Sequence, residues 1–242
     1  DQPTVMEVLA AFVREHSRER RLQQEPDADM AEGTPPEGAF CPADVQAAVT
    51  VVGRRNPAND HETPAIRRAG PDFHFANLAR ANLFRAKLAR ANLARANLAH
   101  AWLIDADLTG ALLADANLSH TVLHHTILAG AELIGADLTS ADLYETDLTG
   151  AVLAHADLSG AKLIRPTLTG ANLYHANLSD IDFGFEDLTG ADLTDARYSL
   201  GARVPDGWAR DPDSGRLKPI EGDIVDDDPD GGESPLDPGL SH

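Results

Sequence analysis

A five-residue register runs through the middle of this chain and constrains it more than any other feature. From Phe73 to Tyr198 a central apolar residue recurs at every fifth position, giving 26 units without an insertion. Of these centres 23 are Leu, the exceptions being Phe73, Phe183 and Tyr198, and Ala stands two residues earlier in 19 units. A period of five excludes one amphipathic helix, because it does not match 3.6 and the Leu positions would spiral around the axis. It excludes one long strand as well, since an odd period sends successive Leu residues to opposite faces. It permits a short extended segment followed by a turn. Ala and Leu, two apart, then point inward together, and the other three positions face out. Asn or Asp usually precedes the Leu and Gly or Ser often ends the unit, which suits tight turns. Units of this kind bury their apolar side only by stacking on one another.

Composition narrows the function classes. The 242 residues carry 39 acids against 20 bases, a net charge of -19, which excludes a simple nucleic-acid binder with a basic footprint. Residues 221–242 hold 8 acids and no base and read as a disordered acidic tail. The single cysteine, Cys41, excludes a disulfide framework and a cysteine-ligated zinc site. With no secretory signal visible, a reducing, cytoplasmic setting is expected. No apolar run approaches the ~20 residues that span a bilayer.

The units A-N-L-A-R, A-N-L-F-R and A-D-L-T-G resemble the pentapeptide-repeat family, whose motif is A-(D/N)-L-x-x. The resemblance implies an all-β fold, a right-handed quadrilateral β-helix with four units per coil, here preceded by short α-helices. At roughly 4.8 Å per stacked strand the solenoid is expected to be on the order of 30 Å long. The expected organisation is a helical N-terminal adaptor or cap with a linker over 1–70, the β-helix over 71–200, a C-terminal cap over 201–220 and the acidic tail over 221–242.

Residues 4–22 place Val5, Val8, Leu9, Phe12 and Val13 at helical spacing. Residues 42–53 predict a second helix, with Pro42 at its start, Gly53 at its stop and Val45, Val49 and Val52 on one side. Two such helices cannot make a core alone, so they are expected on the first coil or along an apolar strip. This region resembles the segment ahead of the solenoid in actinobacterial family members. There, membrane-spanning helices are common upstream, so a membrane tether through preceding residues is an expectation for the full-length protein. V-P-D-G-W-A-R-D-P-D-S-G-R-L resembles a terminal hairpin of the same proteins, with Trp208 as a lid on the last coil.

Given four units per coil, residues 20 apart share a face. One face carries Phe84, Trp102, Ile104, Val122, Tyr144 and Ile164, a contiguous apolar strip on an otherwise polar cylinder. It is either covered by the N-terminal segment or open to a partner or a second copy. Another column reads Gly110, Gly130, Gly150, Gly170 and Gly190, which is turn chemistry or a flat approach surface. A third, from Asn77 to Asn177, predicts an amide and carboxylate ladder. Arg80, Arg85, Arg90 and Arg95 ring one coil, guarding its open edge or docking an acidic segment such as Glu32 and Glu37. His100 with His120 and His155 with His175 should stack, beside His124 and His125, as surface rather than metal ligands. Glu186 occupies an inward slot, where an acid is costly unless it turns out or the coil bulges.

No G-x-S-x-G, P-loop, H-E-x-x-H or dinucleotide fingerprint is present, so neither catalytic residues nor a metal or cofactor is expected. The leading expectation is a non-enzymatic structural and interaction scaffold with an unknown protein partner, homodimerisation included. The alternative comes from the resemblance: some family members mimic duplex DNA and bind gyrase. Its candidate residues are Asp107, Asp137, Asp142, Asp147, Asp157, Asp182 and Asp187. Duplex DNA carries a charge per ~1.7 Å, so a 30 Å rod calls for on the order of 18 charges, whereas the repeat nets -8.

Overall fold

A computed structural model describes residues 8–15, 43–53, 70–181, 188–199 and 204–220. Its spine is a ladder of parallel β-bridges linking each residue that precedes a centre to the residue 20 further on, from Asp72↔Asn92 to Asn172↔Asp192. Among the described residues the same parallel pairing widens to two residues between β1 (Asn177–Leu178) and β2 (Arg197–Tyr198). Four five-residue units therefore close one coil. We number the faces 1 to 4 after the centres Phe73, Leu78, Leu83 and Leu88.

The hydrogen bonds explain why five residues suffice. In the unit around Leu98 the centre donates to Asn117 O at 2.7 Å and His100 to Ser119 O at 2.9 Å. Asn97 donates backwards to Ala76 O at 2.9 Å, and Ala101 N–H closes the turn onto Leu98 O at 2.9 Å. One N–H per unit is left, and the side chain before the centre takes it. Ala99 N–H donates to Asn97 Oδ1 at 3.1 Å. The same bond recurs at 2.9–3.2 Å in units led by Asp72, Asn117, Asp137, Asp157 and Asn177. This Asx turn is the physical reason for Asn or Asp at that position.

Each turn also needs its third residue in the left-handed region, as a type II turn does. Every described slot two residues after a centre from Phe75 to Asp195 has φ between 50° and 68°. Gly fills that slot at 110, 130, 150, 170 and 190, which resolves the Gly column as turn chemistry. Arg80, Arg85, Arg90 and Arg95 sit in the same conformation at φ 55–61° although they carry a Cβ.

Inside, Leu and Ala stack at essentially zero exposure along the axis. Thr121, Thr126 and Thr146 take Ala slots fully buried. The Thr126 and Thr146 hydroxyls donate to Leu103 O and Leu123 O, each at 2.7 Å, one coil earlier. The Thr121 hydroxyl donates to Leu118 O at 2.6 Å. Each buried hydroxyl is thus satisfied, as burial requires. Pro166 is buried in another such slot. Glu186 lies outside the described residues.

Both ends of the ladder are closed. α1 (residues 8–15) and α2 (Ala43–Gly53) bury Val13, Val45, Val49 and Val52 against the cluster that begins at Phe73, Leu78, Leu83 and Leu88. The helices lie on the end of the first coil, and the apolar strip is left uncovered by the described segments. Gln46 of α2 replaces a missing coil: its Oε1 accepts Asn82 N–H at 2.7 Å and its Nε2 donates to Asn82 O at 2.8 Å. Gly53 O accepts Lys87 N–H at 2.6 Å, and a Cβ on Gly53 would stand 3.0 Å from Ala86 Cβ. Arg14 of α1 donates to Asp72 O and pairs with its carboxylate at 3.0 Å.

At the other end β3 (Trp208–Arg210) and β4 (Leu217–Pro219) form an antiparallel hairpin. Leu217 N–H donates to Ala196 O and Asp195 N–H to Leu217 O, both at 2.9 Å. The chain now runs against the coil direction, since Arg197↔Arg216 is an antiparallel bridge. Leu217 is the fully buried lid and Trp208 packs beside it, half-buried. The hairpin turn is held by Asp211, whose carboxylate accepts Ser214 N–H at 2.9 Å and Lys218 Nζ at 2.7 Å. Lys218 and the turn donors hold that carboxyl far below the ordinary value.

Candidate functional surface

Face 3 is built from three outward columns. The column before the centres reads Asn82, Trp102, Val122, Asp142 and Lys162. The column after them reads Phe84, Ile104, His124, Tyr144 and Ile164. The turn corner reads Arg85, Asp105, His125, Glu145 and Arg165. Phe84, Trp102 and Ile164 are exposed at 48%, 38% and 49%, while Ile104, Val122 and Tyr144 are half-buried. Trp102 and Val122 are bridge partners in adjacent coils. Both occupy the Asx position, and neither side chain has an oxygen to accept the turn N–H. The sequence forgoes a stabilising bond there and gains apolar surface.

Beside this strip runs a charge ladder. Arg85 Nε lies 3.2 Å from Asp105 Oδ2, and its guanidinium stands 4.7 Å from the Phe84 ring centroid. Glu145 is held between His125 Nδ1 at 3.2 Å and Arg165 Nη1 at 3.4 Å. A hydrogen bond from Tyr144 is the main cause that lowers the Glu145 carboxyl. The same bond and the carboxylate charge raise the Tyr144 phenol above its ordinary value. His124 Nε2 sits 3.0 Å from Asp142 Oδ1 without hydrogen-bond alignment. Tyr144 meets both imidazoles edge-on at 5.5 Å.

The acidic candidates are dispersed. Asp107 and Asp147 lie on face 4, Asp137 and Asp157 on face 2, and Asp142 on face 3. Asp182 and Asp187 are outside the described residues. All five described ones spend an oxygen on a turn N–H. Burial works against the Asp157 carboxylate, but hydrogen bonds from Ser159 and Asn177 and the Arg197 charge outweigh it, so its pKa is lowered. The expected face 2 ladder is bonded at Asn97–Asn77 and Asn177–Asp157, each 3.0 Å. In the Arg ring, Arg85 and Arg95 reach acids one coil on, Asp105 and Asp115. Glu32 and Glu37 lie outside the described residues.

The histidines stack in pairs. His100 and His120 are 4.8 Å apart and parallel within 3°, and His155 and His175 are 5.2 Å apart within 9°. Burial first, then the charges of His120 and Arg80, lower the His100 pKa. Among the described residues no group of three or more His, Cys, Asp or Glu is placed to hold a metal ion. No described helix is long and apolar enough to cross a membrane. Sequence reasoning missed a thinner apolar column on face 1, where Leu112, Ile134 and Tyr174 are exposed. Reading that face's columns at the same 20-residue step would have found it.

A 20-residue coil, an Asx turn in most units and closed ends define a capped repeat solenoid. A family model described as pentapeptide repeats (8 copies) matches residues 76–113, 116–153, 141–180 and 168–197. The chain belongs to the pentapeptide-repeat family. No curated protein matches it. Among solved structures it is similar to HetL of Nostoc sp. strain PCC 7120, a protein involved in heterocyst differentiation regulation. The identity is 33% over 54% of this chain and 67% of that one, with a TM-score of 0.21. It is also similar to Rfr23 of Cyanothece 51142, at 24% identity over 62% and 77% with a TM-score of 0.17. A third is QnrB1, a plasmid-mediated fluoroquinolone resistance protein, at 18% identity over 53% and 80% with a TM-score of 0.24.

Proposed function

We propose that this protein is a non-enzymatic interaction scaffold, a right-handed pentapeptide solenoid whose docking surface for another protein is face 3. The observation that carries the reading is the pair Trp102 and Val122. Each stands where a turn-forming Asn or Asp is the rule, each faces outward, and Phe84 and Ile104 extend them into one apolar patch. Contiguous apolar surface of this kind marks interaction sites on otherwise polar proteins. The capping helices serve the coil end, and no described segment covers the strip. A gyrase-directed mimic finds less support, because its carboxylates are spread over three faces and engaged in turns.

The test is site-specific photo-crosslinking in the host cell. A photoreactive residue at Ile104 on face 3 should yield a discrete protein adduct, and one at Ala129 on face 4 should not. Equal adducts from both positions, or none from Ile104, would reject face 3 as the docking surface.

A further inference from the structure

Resting on the reading of face 3 as a docking surface, we infer that its occupant is a second copy of this chain, packed antiparallel about a two-fold axis between the coils of Leu103 and Leu123. Such an axis, lying in the interface and perpendicular to the solenoid, brings each column against the same column of the other copy in reverse order. The corner column then sets opposite charges together, Arg85 facing Glu145, and places the Asp105 carboxylate on the His125 imidazole, each twice. The column before the centres sets Trp102 on Val122 and Asn82 on Asp142. The column after them sets Phe84 on Tyr144, an aromatic pair, and Ile104 on His124.

Neighbouring registers fit worse. With the axis through the Leu123 coil, Arg85 meets Arg165, Asp105 meets Glu145 and Trp102 meets Asp142. With it through the Leu103 coil, Asp105 meets its own copy. With the axis between the Leu123 and Leu143 coils, Asp105 meets Arg165, but Val122 lies on Asp142 and Phe84 has no described counterpart. Like charges facing each other in an interface cost enough to exclude a register. The resolved charges of the face, Arg85, Lys162 and Arg165 against Asp105, Asp142 and Glu145, sum to zero, although the whole chain carries -19. Two copies can therefore meet here without the repulsion that the acidic protein otherwise imposes.

The size of the patch sets the strength. Four coils at about 4.8 Å and a face about 12 Å wide, at roughly 3.3 Å per residue, fall short of the ~800 Å² per partner of a standard interface. The contact is on the order of 230 Å² per partner, so the dimer should be weak, with Kd on the order of 100 μM.

Sedimentation equilibrium of the full chain from about 5 to 500 μM tests this. Wild type should pass from monomer to dimer across the range. Arg85→Glu alone and Glu145→Arg alone should each weaken dimerisation on the order of tenfold or more, since each homodimer then holds two like-charge contacts. Mixed together they should recover the wild-type Kd to within about threefold, because the heterodimer restores both opposite-charge contacts. Circular dichroism of each variant checks that the fold is kept. Recovery on mixing also shows that both are folded. A wild-type monomer at 500 μM, single variants that dimerise unchanged, or a mixture that stays monomeric overturns the proposal. If any of these occurs while the Ile104 crosslink persists to a different protein, the scaffold reading stands and only the second copy is rejected.

Discussion

Replacing Gly130 by Ala isolates the backbone cost of the turn. Gly130 has φ +64°, and a Cβ built there meets no atom within 4 Å. The substitution therefore adds no clash and removes no contact. What remains is the left-handed conformation, which costs an L-residue roughly 1–2 kcal/mol. The lower conformational entropy of the unfolded Ala chain opposes this penalty by about 0.4–1 kcal/mol, so the net loss should be about 1 kcal/mol or somewhat less. In a chain of this size that lowers Tm by about 2–4 °C. Gly130→Asn should lose about half as much, because Asn tolerates this region. Ser140, at φ 56° in the same slot of face 2, supplies the reciprocal: Ser140→Gly should be neutral to stabilising. Urea unfolding followed by circular dichroism reads all three. The reasoning fails if Gly130→Ala is as stable as wild type, or if it loses more than about 3 kcal/mol, which would require a contact that the geometry lacks.

Gln46→Leu removes both side-chain bonds to Asn82 and should cost about 1–2 kcal/mol; amide exchange should accelerate at Asn82 while Asp142 N–H, bonded to Thr121 O at 2.8 Å, stays protected. The Asp157 carboxyl has a folded pKa below its unfolded value of 3.8. Its stabilisation is thus complete above about pH 5 and lost as pH falls through the lowered folded value. Asp157→Asn should flatten the stability profile in that acid range, as measured by urea midpoints at stepped pH. Glu145→Gln removes the acceptor charge beside Tyr144, so spectrophotometric titration should show that phenol ionising at lower pH than in wild type. In a gyrase supercoiling assay the purified chain should not inhibit at high micromolar concentration; inhibition below micromolar that weakens with salt would favour the DNA-mimic alternative.

The repeating extended segment and turn were legible because their cause is periodic, Ala and Leu facing inward every fifth residue; the four units per coil came from the family resemblance and not from the spacing. The Asx turn was legible in part, since Asn and Asp signal turns by their side-chain chemistry. The left-handed corner was not. Arg, His and Asp fill it as readily as Gly does here, so residue type does not announce φ. The end caps depend on single long-range bonds such as Gln46 to Asn82, and helical periodicity reveals which residues are buried but not where an amide reaches. Of the six strip residues three are exposed and three half-buried, and the neighbours one coil away decide that, which a column of letters does not show. The inward Thr residues read as lapses from Ala, yet each is a buried hydroxyl tied to a carbonyl.

The two closures differ in kind, and together they fix how such a chain can change length. One end presents a side-chain amide in place of a strand, and the other reverses strand direction. New turns of the solenoid therefore enter only between them, and only in blocks of 20 residues. A block of five would rotate one cap by a quarter-turn relative to the other and shift every downstream column onto the adjacent side. The protein behaves as a graduated rod whose increments are whole coils, and a gain or loss of one coil would move the Ile164 end of the strip by about 4.8 Å without altering which side it occupies.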